Sequence, residues 1–436
     1  MKKILKINQK IKSYNKKIFV EGDKSLSIRW VLISSLSEKK SIAHNLLKSE
    51  DVVNSINCIK TLGSKVKFNE NRCEIIGNGF HIKKKGTIFL DAGNSGTLGR
   101  LILGLLINSK NKIKLTGDKS LSKRDFSRVI DPLKKFGAKF NSRKTLPLSM
   151  EGLTNPKPIN YLEKKGSAQC KTTVMFAALK SRGTTKIKAK KSRDHTELLF
   201  KHLKIPIQIK KGMKFDSIKV RGLKKIKPLN YRIPGDISSS AFFLVLTILS
   251  ENSQLLVKNV NINSSRIGVI KILKKMGAYI KFKNRKIYKG EKIADIFVKN
   301  SKKLKSINCP TKWNSSAIDE FLIIFLVAAK AKGISYFKEL GELNQKESPR
   351  LIWASKILNL MGVKNIMTKD SIKIYGNPNL CLNKKIVIKN FLKDHRVFMM
   401  STIAALSFGG NWKINDADSI KTSFPKFLKI LRDLKS

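Results

Sequence analysis

Residues 272–282 read "ILKKMGAYIKF". A stretch with helix-like spacing of apolar residues ends at Met276, Gly277 follows, and a β-like run begins. Glycine suits the left-handed position that closes a helix before the chain turns into a strand. The same design recurs as "CIKTLGSKVKF" (58–68), "PLKKFGAKF" (132–140) and "ILNLMGVKNI" (357–366), with glycines at 63, 137 and 362. A copy without glycine, "LFKHLKIPIQI" (199–209), centres on Ile205, and a last helix, "FLKILRDLKS", ends at 436. Successive points lie 68–85 residues apart, near one sixth of the 436-residue chain. The spacing predicts six copies of one unit of strands and two helices.

One such unit is too small for a core of its own, so three are expected to pack as each of two domains. The break is expected near "YRIPGDISSSAFF" (231–243), where Pro234 and Gly235 interrupt an extended segment and serines 238–240 can cap the apolar helix that follows.

The formal charge of +60 invites a nucleic-acid reading, yet only 15 of the 90 basic residues are arginine and the lysines are spread over every segment. A nucleic-acid reader would favour arginine, interleaved with stacking aromatics. Screening beyond a Debye length of about 8 Å leaves substrate choice to local residues. The five cysteines are odd in number, scattered and without CxxC spacing, which indicates neither a disulfide framework nor a zinc site and fits a reducing cytoplasm. The five histidines lack ligand spacing, so no metal is expected. No apolar run approaches the length of a membrane span.

Several segments place anion-binding groups at helix starts, where backbone N–H groups and the helix dipole already favour negative charge. "EGDKSLSIRW" (21–30) offers Lys24, Ser25 and Arg29; its hexapeptide GDKSLS returns at 117–122, followed by Arg124. "GNSGTLGR" (93–100) lets the backbone of Gly96 approach a phosphate or carboxylate beside Asn94. "GSAQCK" (166–171) presents Ser167, Ala168 and Gln169, and "SRDHTE" (192–197) presents Arg193. Further along stand Asp319 in "IDEF", Lys346, Glu347 and Arg350 in "KESPR", and Arg396 in "DHR". Six of the 15 arginines fall in these segments, at positions 29, 100, 124, 193, 350 and 396. Each segment by itself reads equally as helix capping.

Taken in order with "IPGDISSSAFFLV" (233–245), "NVNINSSRIGVI" (259–270) and "TSFP" (422–425), they cover nearly the whole chain. In that order the sequence resembles the 5-enolpyruvylshikimate-3-phosphate (EPSP) synthase family. The resemblance implies an α/β, two-domain enolpyruvyl transferase fold, each domain three βαβαββ repeats, with the active site in the interdomain cleft. The implied domains are 1–21 plus 238–436, and 22–237. It implies transfer of the enolpyruvyl group of phosphoenolpyruvate to the 5-hydroxyl of shikimate 3-phosphate, with no cofactor and no metal. The partners expected are those two substrates, with no membrane and no specific nucleic acid, for a monomeric cytoplasmic enzyme.

Carried over by motif, Lys24, Ser25, Arg29, Ser167, Ala168, Gln169, Arg193, Asp319 and Lys346 would hold shikimate 3-phosphate. Lys24, Asn94, Gly96, Arg124, Gln169, Lys346, Arg350 and Arg396 would surround phosphoenolpyruvate. Lys421, one position off a lysine found in part of the family, is added to that second set. Asp319 would be the base, Glu347 the proton donor, and Lys24 a third catalytic residue. Ser95, Glu21, Asp125 and Pro349 depart from the family's usual residues. The sister transferase acting on UDP-N-acetylglucosamine typically has Asn after the first lysine and a cysteine near the position of Arg124. This chain has Ser25, and no cysteine between Cys73 and Cys170.

Overall fold

The computed structural model describes residues 3–69, 72–82, 85–223 and 225–435, so Ser436, the expected end of the sixth repeat, lies outside it. Gly63, Gly137, Gly277 and Gly362 lie one or two residues past the last residue of a helix with φ of +100°, +109°, +92° and +79°, the left-handed closure expected of them. In the copy that lacks glycine the same place is taken by Lys204 at φ +56°.

The third repeat shows the unit in full. Strand Asn160–Glu163, helix Ala168–Ala178, strand Thr184–Lys190, helix His195–His202 and strands Ile207–Lys210 and Phe215–Arg221 follow in order. The first two strands pair in parallel, and the last strand runs antiparallel between its two neighbours. Ile88–Asp91 through Leu148–Glu151 repeat the pattern. Two repeats borrow their first strand from far along the chain. Tyr231–Arg232 pairs in parallel with Ser41–His44, and Asn15–Phe19 with Gln254–Asn261. Leu5–Ile7 runs antiparallel to Gly409–Ile414 in the last sheet.

The chain divides into two compact units, one comprising Gly22–Ile233 and Tyr288–Glu291, the other the chain up to Glu21, Pro234–Ile287 and the chain from Lys292 on. Among the described residues each holds three small sheets. The chain changes unit after Ile233 rather than after 237. Ile233 N still donates to His44 O, whereas Gly235 N donates to Asn259 O and Asp236 N to Glu21 O.

The first helix of every repeat forms the centre of its unit. Lys24–Ser34, Gly96–Leu105 and Ala168–Ala178 are largely buried in one, and Ile237–Leu249, Phe321–Lys330 and His395–Phe408 in the other. Helices apolar nearly all round are stable only when so enclosed. Gly96–Leu105 and Ala168–Ala178 pack so closely that a Cβ on Gly104 would stand 2.2 Å from Thr173 O. Gly104→Ala is therefore expected to cost about 1–3 kcal/mol through overpacking, lowering Tm by roughly 2–4 °C for each. An unchanged melting curve would contradict this contact.

The lysine excess rides on outward faces: in Thr184–Lys190 residues 185, 187 and 189 are buried and Lys186, Lys188 and Lys190 are exposed. All five cysteines are unpaired. Among the described residues no helix is long and apolar enough to cross a membrane, and no group of three or more His, Cys, Asp or Glu could hold a metal.

Candidate active site

Each sequence motif lies at the start of a helix, and side-chain bonds connect the starts within each unit. Asp23 caps helix Lys24–Ser34, its carboxylate accepting from Leu26 N at 2.9 Å. Lys24 Nζ is 3.0 Å from Asp51 Oδ2. Arg29, 3% exposed, is fixed from three sides. Its Nε donates to Thr196 Oγ1 (2.9 Å), its Nη2 to Thr172 Oγ1 (3.2 Å) and its Nη1 to Ser25 O (3.0 Å). Thr172 and Thr196 are themselves bonded at 2.8 Å. Arg29 thereby ties the starts of three helices together.

A second group gathers at helix Gly96–Leu105, capped by Ser95 Oγ, which accepts from Leu98 N at 3.3 Å. Arg100 Nη1 donates to Gln169 Oε1 (2.8 Å), and Gln169 Nε2 donates to Thr97 Oγ1 (2.9 Å). Arg124 Nη2 reaches Asn94 Oδ1 at 3.4 Å, while Asn94 Nδ2 donates to Asp118 Oδ2 at 2.5 Å. A Cβ on Gly96 would lie 2.9 Å from Arg100 Nη1 and 3.2 Å from Arg124 Nη1. Two guanidinium groups therefore press on the positive end of one helix. Burial above all, with the charges of Arg124 and Arg128 added, pulls Arg100 below the ordinary arginine pKa. Such a concentration of positive charge is relieved by an anion.

Ser167 caps Ala168–Ala178 by accepting from Cys170 N at 3.2 Å, and its own N donates to the buried Glu163 at 2.9 Å. Arg193 is half-buried, two residues before the start of His195–His202.

In the other unit Asp319 stands in the turn before helix Phe321–Lys330. Its Oδ1 lies 3.5 Å from Arg350 Nη1 and 3.7 Å from Lys346 Nζ, and its carbonyl accepts from Arg396 Nη1 at 2.6 Å. Arg350 also pairs with Glu347 through Nη2, and its Nε donates to Asp394 Oδ2 at 2.9 Å. Asp394 accepts from Ser348 Oγ (3.0 Å) and caps helix His395–Phe408 through Arg396 N (2.9 Å). Burial by itself would lower the Arg350 pKa, but the three carboxylates outweigh it and raise it. Burial would likewise raise Asp394, and Arg350 outweighs it, so the carboxyl is held below the usual range. Lys421 is exposed in the turn Ala417–Thr422, next to Thr422, whose Oγ1 is 3.3 Å from His395 Nδ1.

Within one unit the bonds connect Ser25 with Arg29, Gly96 with Arg100 and Gln169, and Asn94 with Arg124. Within the other they connect Asp319, Lys346, Glu347, Arg350 and Arg396. Sequence reasoning did not supply the orienting partners Asp51, Asp118, Thr172 and Thr196. It offered Asp394 beside His395 and Arg396, as an acid just before a helix, without its pairing to Arg350. The departing residues have structural work of their own. Asp125 accepts from Ser127 N and Oγ at 2.8 and 2.6 Å ahead of helix Ser127–Phe136, and the buried Glu21 accepts from Lys426 N at 3.1 Å.

Two units of three βαβαββ repeats, with polar clusters at the starts of their central helices, define an enolpyruvyl transferase fold. The solved enolpyruvyl transferase NikO from Streptomyces tendae matches all of this chain and 98% of its own at a TM-score of 0.78, and with 12% identity it shows the fold alone. The relationship narrows with sequence: residues 8–431 match the family EPSP synthase (3-phosphoshikimate 1-carboxyvinyltransferase), and the chain belongs to that family. A 3-phosphoshikimate 1-carboxyvinyltransferase of Petrotoga mobilis is 35% identical over 428 residues, covering 97% of both chains. One of Ruthia magnifica is 37% identical over 417 residues, 95% of this chain and 94% of that one. A solved EPSP synthase from Acinetobacter baumannii superposes with a TM-score of 0.87 at 32% identity, covering 100% of this chain and 98% of that one.

Proposed function

We propose that this chain transfers the enolpyruvyl group of phosphoenolpyruvate to the 5-hydroxyl of shikimate 3-phosphate and releases phosphate, a step toward aromatic amino acids. The observation that carries this reading is the pair of guanidinium groups, Arg100 and Arg124, lying against Gly96 at a helix start in a chain of this family. Both substrates bring phosphate and carboxylate groups that repel one another. Charge-assisted hydrogen bonds contribute roughly 1.5–3 kcal/mol each, so several cations are needed together.

In this reading Ser25, Arg29, Ser167, Ala168, Gln169 and Arg193 hold shikimate 3-phosphate, and Asn94, Gly96, Arg124, Arg350, Arg396 and Lys421 surround phosphoenolpyruvate. Lys24, Gln169 and Lys346 serve both, and Asp319 also holds shikimate 3-phosphate. The 5-hydroxyl oxygen attacks the enol carbon and gives its proton to Asp319, while Glu347 delivers a proton to the methylene carbon. The resulting tetrahedral intermediate then loses phosphate from the former enol carbon, a proton of its new methyl group returns to Glu347, and the proton held by Asp319 leaves with the phosphate. Each step balances without a cofactor or metal. Five unpaired cysteines suit a reducing compartment, and we place the enzyme in the cytoplasm, acting as a monomer.

The purified protein is expected to release phosphate from phosphoenolpyruvate when shikimate 3-phosphate is added and not when UDP-N-acetylglucosamine is added. Release with the nucleotide sugar alone would reassign it to the sister reaction. Release with neither, from protein that melts cooperatively, would retract the reading.

A further inference from the structure

Helix His195–His202 opens with three buried polar side chains. Thr196 receives Arg29, and Glu197 Oε1 lies 2.5 Å from Lys171 Nζ. His195 Nδ1 lies 2.7 Å from Glu291 Oε1, and both side chains are fully buried. The helix has no side-chain cap from Asp194, so its first turn is oriented by what residues 195–197 grip. Two of those grips stay among the anion-binding helices; the third does not.

Glu291 begins strand Glu291–Lys299, and the chain reaches it from Tyr279–Tyr288 through Lys289 and Gly290 at φ +49° and +87°. Positive φ at both positions makes the turn of type I′, which permits a two-residue connection between twisted strands. Tyr288–Glu291 belong to the same compact unit as Gly22–Ile233. The tip is tightly seated. The Tyr288 ring stacks on Tyr231 at 5.5 Å, and its hydroxyl accepts from Arg232 N at 3.1 Å. A Cβ on Gly290 would stand 3.0 Å from Leu198 O. A carboxylate buried this deeply is tolerated only with a partner, and His195 is one on the turn that holds Arg29.

We infer that Glu291 is a positioning residue for acceptor binding: through His195 it fixes the first turn of His195–His202, and through that turn the Arg29 and Arg193 side chains. The inference rests on the proposed function, in which those arginines hold shikimate 3-phosphate. Glu291 touches no substrate in this account.

Steady-state kinetics on the full chain test it. Glu291→Ala is expected to raise KM for shikimate 3-phosphate about tenfold, the factor of one displaced charge-assisted hydrogen bond. KM for phosphoenolpyruvate and kcat should stay within about twofold. Glu291→Gln, which keeps an oxygen acceptor for His195 Nδ1–H, should show little of that loss, and His195→Asn, which keeps a donor to Glu291, should likewise stay near the wild-type acceptor KM. An unchanged acceptor KM in Glu291→Ala overturns the inference. So does an equal rise in both KM values with Gln no better than Ala, the pattern of general loosening. Should Glu291→Ala not fold, Glu291→Asp, which withdraws the carboxylate by one methylene, is expected to raise the acceptor KM alone, and indifference in that variant would be equally fatal. Wild-type protein inactive on shikimate 3-phosphate would retract the function itself; active wild type with indifferent variants retracts only the role of Glu291.

Discussion

Asp319→Asn and Glu347→Gln are each expected to lower turnover by about 10²–10⁴ while leaving the melting temperature nearly unchanged. The substitutions keep size and polarity and remove only the capacity to take up and return a proton. Asp319 stands 3.5 Å from Arg350 Nη1 and 3.7 Å from Lys346 Nζ, and Glu347 pairs with the same Arg350. In the proposed reaction these two carboxylates, held by one guanidinium, supply a proton acceptor at the attacking oxygen and a proton carrier at the methylene carbon. Because both carboxylates are partly exposed, at 18% and 23%, neutralising one should change stability by no more than about 1 kcal/mol. Loss of turnover with an intact melt thus separates chemistry from folding. Either variant with near-normal turnover would remove that residue from the mechanism.

The architecture was readable because its punctuation is local. A glycine at φ +92° after Met276 leaves its mark in the sequence whatever lies around it, and four such marks, with the glycine-free copy between the second and third, are enough to count repeats. Lys204, in the same conformation without being glycine, shows where that signal fades. Strand exchange was less legible. Nothing within "NKKIF" states that residues 15–19 pair with 254–258, since a strand's own residues do not specify a partner more than 200 positions away. The site shows the same divide. Arginines and lysines at helix starts are visible as types in places. Their orienting partners are not, because Asp51 beside Lys24 and Thr196 beside Arg29 are separated from them by 27 and 167 residues. Asp51 in a first helical turn reads as an ordinary dipole partner until its lysine is seen.

Arg350→Met should be the most destabilising single substitution in the second cluster. Arg350 is 2% exposed and Asp394 is fully buried, and the guanidinium is what keeps that carboxylate ionised against burial. Removing one member of a buried pair costs about 3–5 kcal/mol, which for a unit of this size lowers Tm by roughly 6–20 °C. The pH dependence identifies the cause. In the native chain the folded pKa of Asp394 lies below its unfolded value, so its contribution is complete above about pH 4 and is lost only as pH falls through the lower folded value. Without Arg350, burial dominates and the folded pKa moves above the unfolded one. The folded variant then binds the proton more tightly than its unfolded chain, and it gains stability as pH falls from 7 toward 5. The Tm deficit against wild type is therefore expected to narrow over that interval. Arg350→Met combined with Asp394→Leu, which leaves no buried charge behind, should recover part of the loss even at pH 7. A single variant whose deficit is the same at pH 7 and pH 5, and which the second substitution only worsens, would show that Arg350 acts by filling space rather than by its charge.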